Sequence, residues 1–523
     1  MTLPRFFSRV ADAVTGVAPS IDSEQLAEHL GSVVVELRAG EPTADVITQR
    51  VGYELAANLL ARLYPAIRLE GPAEVVDGAA KLIHSINPDC DLDEGWSGTT
   101  PGLSWAGAHD GDQPAVVAHG WNVTLDPGRT PLRFECSTPA ALAASALGVG
   151  EVFRSVFADH LAVGRHARSG PQSINLITLG AASRVGGAGD RALEMGSMHL
   201  AGAGAIGQAA VAVLRSYPAV GRITVVDPEQ IDLGNLQRYV LTTSADPNQP
   251  KTSLIERACE GTSLKVESVC TAWGDDDRSG PGVDTVLVAL DSRADRIAVQ
   301  AGLPRAAYNA WTQPSDLGWS RHEDFGVEPC LACLYWPRRP RPNHHELVAQ
   351  AFGVHPLRAL HYLVQRLPVG MPLPVGVVLP LPGIPVPEGA DVWCVRPLIA
   401  DIAVRFRLDG DAQSAWEART LNDLYREGIC SGGLVRQRDA DLSHDVLVPL
   451  AHQSALAGVM LATQAIVAKV PPWRRARPQA VEGRFDVLAG LPQLLARPRV
   501  RTAGCLCGDA AYQAEAARRR HSQ

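Results

Sequence analysis

The residues with the clearest chemistry lie between Ser197 and Lys251. Gly202, Gly204 and Gly207 stand in a G-x-G-x-x-G spacing, and Asp227 follows about 20 residues later. Asn235 and Arg238 come 8 and 11 positions after Asp227, and Lys251 comes 13 after Arg238. Glycines at this spacing let the backbone bend tightly and approach a ligand with no Cβ in the way. A helix starting there points its positive end at an anion. The acid is placed to accept from a ribose hydroxyl. This much fits any dinucleotide site, and the cations narrow it. A hydride-transfer enzyme already holds its pyrophosphate on the glycine turn and has no use for Arg238 and Lys251. An enzyme that expels pyrophosphate from a triphosphate does, because charge builds on the leaving group. Asp291, after the apolar run V-D-T-V-L-V-A-L, is placed at the end of a buried strand to hold the Mg²⁺ that bridges phosphates.

Two more groups carry chemistry. Cys330 and Cys333 form C-x-x-C, and Cys505 and Cys507 form C-x-C far downstream. Four thiolates in two close pairs suit tetrahedral zinc in a closed, structural site. The alternative is two pairs of reduced, buried thiols. Cys430 stands in Y-R-E-G-I-C-S-G-G-L, with Arg426 nearby to lower a thiol pKa and Ser431, Gly432 and Gly433 to let the segment swing. A thiolate there could capture an acyl-adenylate; the alternative is a buried structural cysteine. Cys394 lies in an apolar run, and Cys90, Cys136, Cys259 and Cys270 read as packing residues.

The order G-A-G-A-I-G, Asp227, N-L-Q-R, Lys251, Asp291 resembles the ubiquitin-activating-enzyme-like adenylyltransferases, whose superfamily includes sulfur-carrier activators of the ThiF, MoeB and HesA type. Ser292 departs from the family's usual Asn after that Asp. The resemblance covers about Ser197 to Trp336 and a later piece. The R-E-G-x-C segment resembles that of a compact activating enzyme for a ubiquitin-fold modifier. There that cysteine takes the carrier as a thioester. The family also has a zinc site, usually with C-x-x-C twice, so the C-x-C here is a departure.

The rest of the chain must position these residues. Alternation of strand and helix predicts an α/β fold: a Rossmann-like adenylation domain with a mostly parallel sheet. Strands are expected at Ser197–Ala201, Arg222–Val226, Lys265–Cys270, Val283–Leu290 and Ala306–Ala310, and an antiparallel turn-back between Trp311 and His322. Residues 1–190 read as a degenerate adenylation-like domain. It has a strand at Ser32–Leu37, a helix at about Gln49–Tyr64 and a long apolar helix at Pro139–Phe157, but no phosphate-binding residues. An unrelated α/β domain is the other reading. A glycine-rich link, Val185–Gly196, leads to the active adenylation domain, 191–336. Residues 337–435 are an insertion, a lid or docking module that includes the Cys430 segment. It should hold a helix at Glu346–Leu367 broken near Pro356, loop histidines His344 and His345, and an apolar stretch at Val392–Phe406. Residues 436–523 complete the adenylation domain with an apolar helix at about Leu447–Ala468 and the second half of the zinc site.

Composition excludes other classes. The 523 residues carry a net charge of -8 at a pI near 6.0, with no basic patch for nucleic acid. No stretch reaches the length of a membrane span, the N-terminus is no signal peptide, and the paired cysteines suit a reducing cytoplasm. The expected function is ATP- and Mg²⁺-dependent adenylation of the C-terminus of a ubiquitin-like protein, thioester formation on Cys430, and transfer to a conjugating enzyme. The resemblance, with an Ala-, Gly- and Arg-rich composition, suggests a bacterial ubiquitination-like system, with antiphage defence an analogy. Two full chains could still pair as a homodimer. Two other readings stand beside it: a sulfur-carrier or peptide adenylyltransferase with no thioester step, and a binding scaffold that has lost activity.

Overall fold

The computed structural model describes residues 2–41, 47–92, 101–106, 113–127, 135–161, 171–280, 282–313, 316–336, 344–374, 386–406, 408–425, 448–479, 482–488, 491 and 495–521. The chain forms two compact units, Met1–Trp336 with Val448–Gln523, and Pro337–Leu447.

The first unit holds two sheets. Its N-terminal half runs α1 (Phe7–Thr15), α2 (Ser23–Gly31), β1 (Val35–Ala39), α3 (Ile47–Ala61), β2 (Ile67–Glu70), α4 (Ala73–Ile86), β3 (Gly102–Trp105), β4 (Ala115–His119), β5 (Asn122–Leu125), α5 (Thr138–Val156) and β6 (Gln172–Asn175). The strands lie in the order β2-β1-β3-β4-β5-β6. They are parallel from β2 to β4 and antiparallel from there on.

The second half runs β7 (Leu193–Ala201), α6 (Ala205–Ser216), β8 (Ala219–Val226), α7 (Lys251–Ala258), β9 (Leu264–Val269), β10 (Thr285–Val288), α8 (Arg293–Ala301), β11 (Ala306–Thr312), β12 (Leu317–His322) and α9 (Leu331–Tyr335). After the second unit it resumes with α10 (Ala451–Ala468), α11 (Pro471–Ala476), β13 (Glu482–Phe485), β14 (Leu495–Arg497) and α12 (Ala510–His521). Its eight strands lie in the order β14-β13-β12-β11-β10-β7-β8-β9. The five from β9 to β11 are parallel and the other three antiparallel. The stretch β8-β7-β10-β11-β12-β13 repeats the order of the first sheet, strand for strand. Mostly parallel sheets are buried on both faces, which is why β10 reads T-V-L-V with every residue buried.

The helices repeat as well. In the first half α3 packs on α5, in the second α6 packs on α10, and α5 and α10 pack on each other across the middle. Both α5 and α10 are buried at nearly every position, as expected of helices that are apolar all round. The apolar run near Ser454–Val470 is therefore a core helix, and no described helix is long and apolar enough to cross a membrane. The glycine-rich link is tied to the N-terminal half by Asp190, which accepts from the Thr138 backbone N–H at 2.9 Å and its hydroxyl at 2.5 Å. Strand β7 starts four residues earlier than expected, because a register shift between Glu194 and Gly196 lets the link pair with β8.

The second unit is helical. Helices His344–Phe352 and Pro356–Gln365 pack on each other. The break falls at Pro356, which occupies a first-turn position while the His355 side chain accepts from the Leu357 N–H at 3.2 Å. A 3₁₀ turn, Ala390–Cys394, and helices Leu398–Phe406 and Gly410–Glu417 complete it around Phe352, Tyr362, Leu398, Ile402 and Phe406. His344 and His345 are helical, not loop residues, and the His345 Nε2 is shielded from solvent. The amphipathic period of H-H-E-L-V-A-Q-A-F, with Val348 and Phe352 facing the core, carries the helix back over them.

Candidate active site

The glycine turn forms as its spacing requires. Gly202 sits at φ 97°, a conformation that L side chains rarely adopt, and a Cβ there would stand 2.6 Å from the Ala289 carbonyl. A Cβ at Gly207 would collide with the Gly202 carbonyl. The turn therefore presses on the chain after β10 at Gly202 and folds back on itself at Gly207, and Gly204 is the N-cap residue of α6, so the first backbone N–H groups of that helix have no intrahelical partner.

Asp227 follows β8 and is 7% exposed. Its Oδ2 accepts from the Ala203 N–H at 2.7 Å and its Oδ1 from the Glu229 N–H at 2.9 Å. One carboxylate thus fixes both the glycine turn and the start of the following loop, with lone pairs left for a further donor. Burial raises its carboxyl above the ordinary value, with Lys251 and the two N–H groups pulling the other way.

That loop carries a short 3₁₀ helix, Leu233–Gln237, and then the cations. The Asn235 Oδ1 accepts from the Asp232 N–H at 2.9 Å, and its carbonyl accepts from the Arg238 and Tyr239 N–H groups. Asn235 thereby sets the turn on which Arg238 stands. Arg238 and Lys251 both face the ring of Tyr239, at 5.7 and 5.3 Å from its centroid. Both cations thus lie against one ring. A Cβ at Gly204 would stand 3.4 Å from the Tyr239 hydroxyl oxygen, which places the ring beneath the glycine turn. Tyr239 is 4% exposed. It gives no signal in the sequence, because its value lies in which three pieces of chain it touches.

Lys251 is 5% exposed, and its Nζ pairs with the Glu229 Oε2 at 2.5 Å. Burial opposes its charge, but Tyr239, Asp227 and Glu229 outweigh that and hold the ammonium above the usual lysine range. Burial lowers the Arg238 guanidinium pKa, with Arg9 adding repulsion and Asp291 and Asp12 pulling the other way. Asp291, three residues past β10, is therefore a neighbour of Arg238 and is itself exposed. Arg9, on α1, brings a further cation to this loop. Its aliphatic stem lies 3.7 Å from where a Gly234 Cβ would stand, and its guanidinium bonds Asp12 at 3.3 Å.

Cys270 is a correction. It is exposed rather than packed. Strand β9 ends one residue early, at Val269, so Cys270 lies at the sheet's edge with its sulfur 3.0 Å from the Thr252 hydroxyl, one residue from Lys251.

Cys330, Cys333, Cys505 and Cys507 come together, with all four sulfurs within 4.8 Å of one another and all four residues buried. Individual separations are 3.9 Å for Cys330–Cys333, 3.6 Å for Cys330–Cys505 and 3.4 Å for Cys333–Cys507. These are close to the edges of a tetrahedron around zinc at about 2.3 Å from each sulfur. The C-x-C spacing suffices because a 3₁₀ turn, Leu506–Gly508, follows Cys505. The Thr502 N–H donates to the Cys333 sulfur at 3.4 Å. Cys430 and the residues around it, 426–447, lie outside the described residues.

Comparison with known proteins places this arrangement. The ThiF family pattern matches residues 179–469, more than half of the chain. The chain belongs to the ThiF family. This ThiF-family chain is similar, at 29% identity over 535 aligned residues, to the uncharacterized protein y4jF of Sinorhizobium fredii, across 97% of this chain and 95% of that one. It is also 29% identical over 210 residues to the sulfur carrier protein adenylyltransferase of Thermus thermophilus, covering 36% of this chain and 76% of the relative. Among solved structures, Escherichia coli MccB aligns over 59% of this chain and 64% of its own, at 14% identity and a TM-score of 0.33. MccB with AMPCPP and MccA aligns over 26% and 43%, at 22% identity and a TM-score of 0.24. Membership of the ThiF family supports ATP binding and the adenylation of a substrate by this chain.

Proposed function

We propose that the chain activates the C-terminal carboxylate of a ubiquitin-like protein with ATP, captures it as a thioester on Cys430 and passes it to the cysteine of a conjugating enzyme. The observation that supports this most is the pair of cations over Tyr239, set between the glycine turn and Asp227. ATP would lie with its ribose on Asp227 and its phosphates on the Gly202–Gly207 turn, Arg238 and Lys251, with Arg9 approaching from the N-terminal half. Asn235 would hold the loop. Asp291 would hold Mg²⁺, whose charge offsets that building on the pyrophosphate.

The carrier's carboxylate oxygen attacks the α-phosphorus, and the bond to the bridging oxygen breaks. Pyrophosphate leaves and an acyl-adenylate forms. Arg238 and Lys251 lower this barrier by being fixed in place before charge develops. The Cys430 thiolate then attacks the acyl carbon and AMP leaves. The four cysteines would hold structural zinc, which ties the segment before α12 to the helix at Leu331–Tyr335 and supplies folding energy, not chemistry.

The test is ATP–pyrophosphate exchange with a purified ubiquitin-like protein, followed by detection of a thiol-sensitive adduct. Exchange should depend on the carrier's C-terminus, and Cys430→Ala should abolish the adduct while exchange continues. Loss of exchange in a folded Cys430→Ala protein would overturn this division of labour. An adduct-free enzyme whose exchange is unaffected by Cys430→Ala would favour the second reading, adenylation of a sulfur carrier or peptide with no thioester. That reading draws on the Thermus relative's name.

A further inference from the structure

The loop bearing Arg238 and Tyr239 belongs to the second half, yet much of its backbone is held from the first. Asn58 and Arg62 stand one turn apart at the end of α3 and its continuation. The Asn58 side-chain amide donates to the Val240 carbonyl at 2.9 Å. The Arg62 guanidinium donates through Nη1 to the Leu236 carbonyl, through Nη2 to the Thr242 carbonyl at 2.9 Å, and through Nε to the Asn58 Oδ1 at 2.8 Å. Carbonyls at 236, 240 and 242 bracket Arg238 and Tyr239, and Lys251 lies against the Tyr239 ring. Asn58 is 6% and Arg62 1% exposed.

A buried guanidinium is expensive unless its donors are used. Burial brings the Arg62 pKa down to about 9. Its hydrogen bonds go to backbone carbonyls and to Asn58, and no carboxylate among the described residues pairs with it. An apolar side chain would fill the same space at lower cost. Its spread of donors instead fixes the path of seven residues of another half-domain. The other side of the loop is held from α6, where the Gln208 Oε1 accepts from the Leu241 N–H and the Thr242 hydroxyl, both at 3.1 Å.

We infer that Asn58 and Arg62 are positioning residues for polyphosphate binding: they shape residues 236–242 so that Arg238 and Tyr239 meet Lys251 beneath the glycine turn. This rests on the reading of that place as a nucleotide site. It also gives the N-terminal half, which lacks a glycine turn of its own, a task in the reaction: to hold the loop of its partner half.

The consequence is selective. A misplaced loop weakens the grip on the β- and γ-phosphates but leaves the ribose contact at Asp227 and the glycine turn. Affinity for Mg·ATP should therefore fall while affinity for AMP stays. Asn58→Ala removes one carbonyl contact and one support of Arg62, and about a 3- to 10-fold loss of ATP affinity is expected from a net hydrogen bond. Arg62→Met should lose more, and Arg62→Lys should recover part. In an Arg238→Ala background, Asn58→Ala should cost little further, because the residue it positions is gone.

Calorimetry of Mg·ATP and AMP binding to the full chain, with thermal melts of every variant, decides the matter. An Asn58→Ala protein that loses ATP and AMP affinity equally, or whose loss is undiminished in the Arg238→Ala background, overturns the inference. If Arg62 variants fail to fold, the Asn58→Ala pair still decides it. Wild-type chain that binds no Mg·ATP would sink the reading of the site itself. An Asn58→Ala protein with normal ATP affinity, in a chain where Lys251→Ala abolishes it, would sink only the positioning role.

Discussion

The two halves of the first unit share a strand order and differ in the connections at the ends of their strands. Between β7 and α6 lie three residues, Gly202–Gly204. After β8 comes Asp227 and a 24-residue loop, 227–250, with the 3₁₀ helix and the first cation, leading to Lys251. After β2 come only Gly71 and Pro72 before α4 begins. After its second strand, one half runs through a long loop, and the other turns within two residues into a helix. The comparison teaches that the sheet supplies a platform, and that chemistry resides in what is grafted onto its strand ends. The N-terminal half also holds a loop of the other: Asn58 and Arg62 donate to its carbonyls at 236, 240 and 242, and the Ser85 carbonyl accepts from the Ser244 N–H at 2.8 Å.

The sharpest way to break this comparison is to remove a cation from each half. Lys251→Ala or Arg238→Ala should cost about 100- to 1,000-fold in ATP–pyrophosphate exchange, the scale of losing one preorganised charge-stabilising donor. Arg38→Ala, in the N-terminal half, removes a part-exposed arginine whose partners are Glu36 and Glu70. It should leave exchange unchanged, because part-exposed ion pairs contribute little. Equal losses in both halves would mean that the halves share the chemistry and that the contrast in their loops has been misjudged.

Much of this was legible in the sequence, for a physical reason. The glycine turn, Asp227 and the strand that precedes Asp291 are local: each depends on a few neighbouring residues and leaves a spacing behind. The parallel sheet was legible because buried strands leave unbroken apolar runs. What escaped was whatever depends on distant pieces meeting. Tyr239 is one tyrosine among nine until the ring is seen under two cations. Asn58 and Arg62 stand at the end of a helix whose Leu55, Leu59, Leu60 and Leu63 announce only a core, and nothing in the local sequence says which distant backbone the two polar side chains meet. Cys270 was misplaced because a cysteine ending an apolar strand reads as packing until the strand is seen to stop one residue short. The C-x-C pair gave the opposite problem. Its spacing departs from the usual C-x-x-C, and only the 3₁₀ turn after Cys505 shows how both sulfurs reach the first pair.

The second distinction between the halves is how their ends are tied. Residues 505–507 are bound to the C-terminal half through the cysteine cluster; among the described residues, no comparable group appears in the N-terminal half. Cys505→Ser should reduce zinc from about one ion per chain to none and lower the melting temperature by several degrees or more, since metal binding free energy is folding free energy. Metal analysis beside a thermal melt checks both. Exchange activity in the surviving folded fraction should persist, because the site is closed. Wild-type protein that carries no metal and melts at the same temperature as Cys505→Ser would show that the four thiols serve packing alone.

The smallest expected effect concerns the seam between the halves, where α5 meets α10. His452, at the start of α10, is 2% exposed, packs at 5.7 Å on the ring of Phe153 from α5, and has no hydrogen-bond partner for its Nε2. Burial pushes its pKa down to about 3, against about 6.5 for an unfolded histidine. The folded state therefore excludes a proton that the unfolded state takes up below pH 6.5. The stability of this seam is fully present above that pH and is lost as the pH falls toward 3, at up to about 1.4 kcal/mol per unit. His452→Phe keeps an aromatic ring beside Phe153 and removes the titration. Its unfolding free energy should follow wild type above pH 7 and decline less steeply between pH 6 and pH 4. Parallel pH profiles would mean that the imidazole is already protonated in the folded protein, with water or a partner on its Nε2, and the seam would then be wetter than its neighbouring side chains imply.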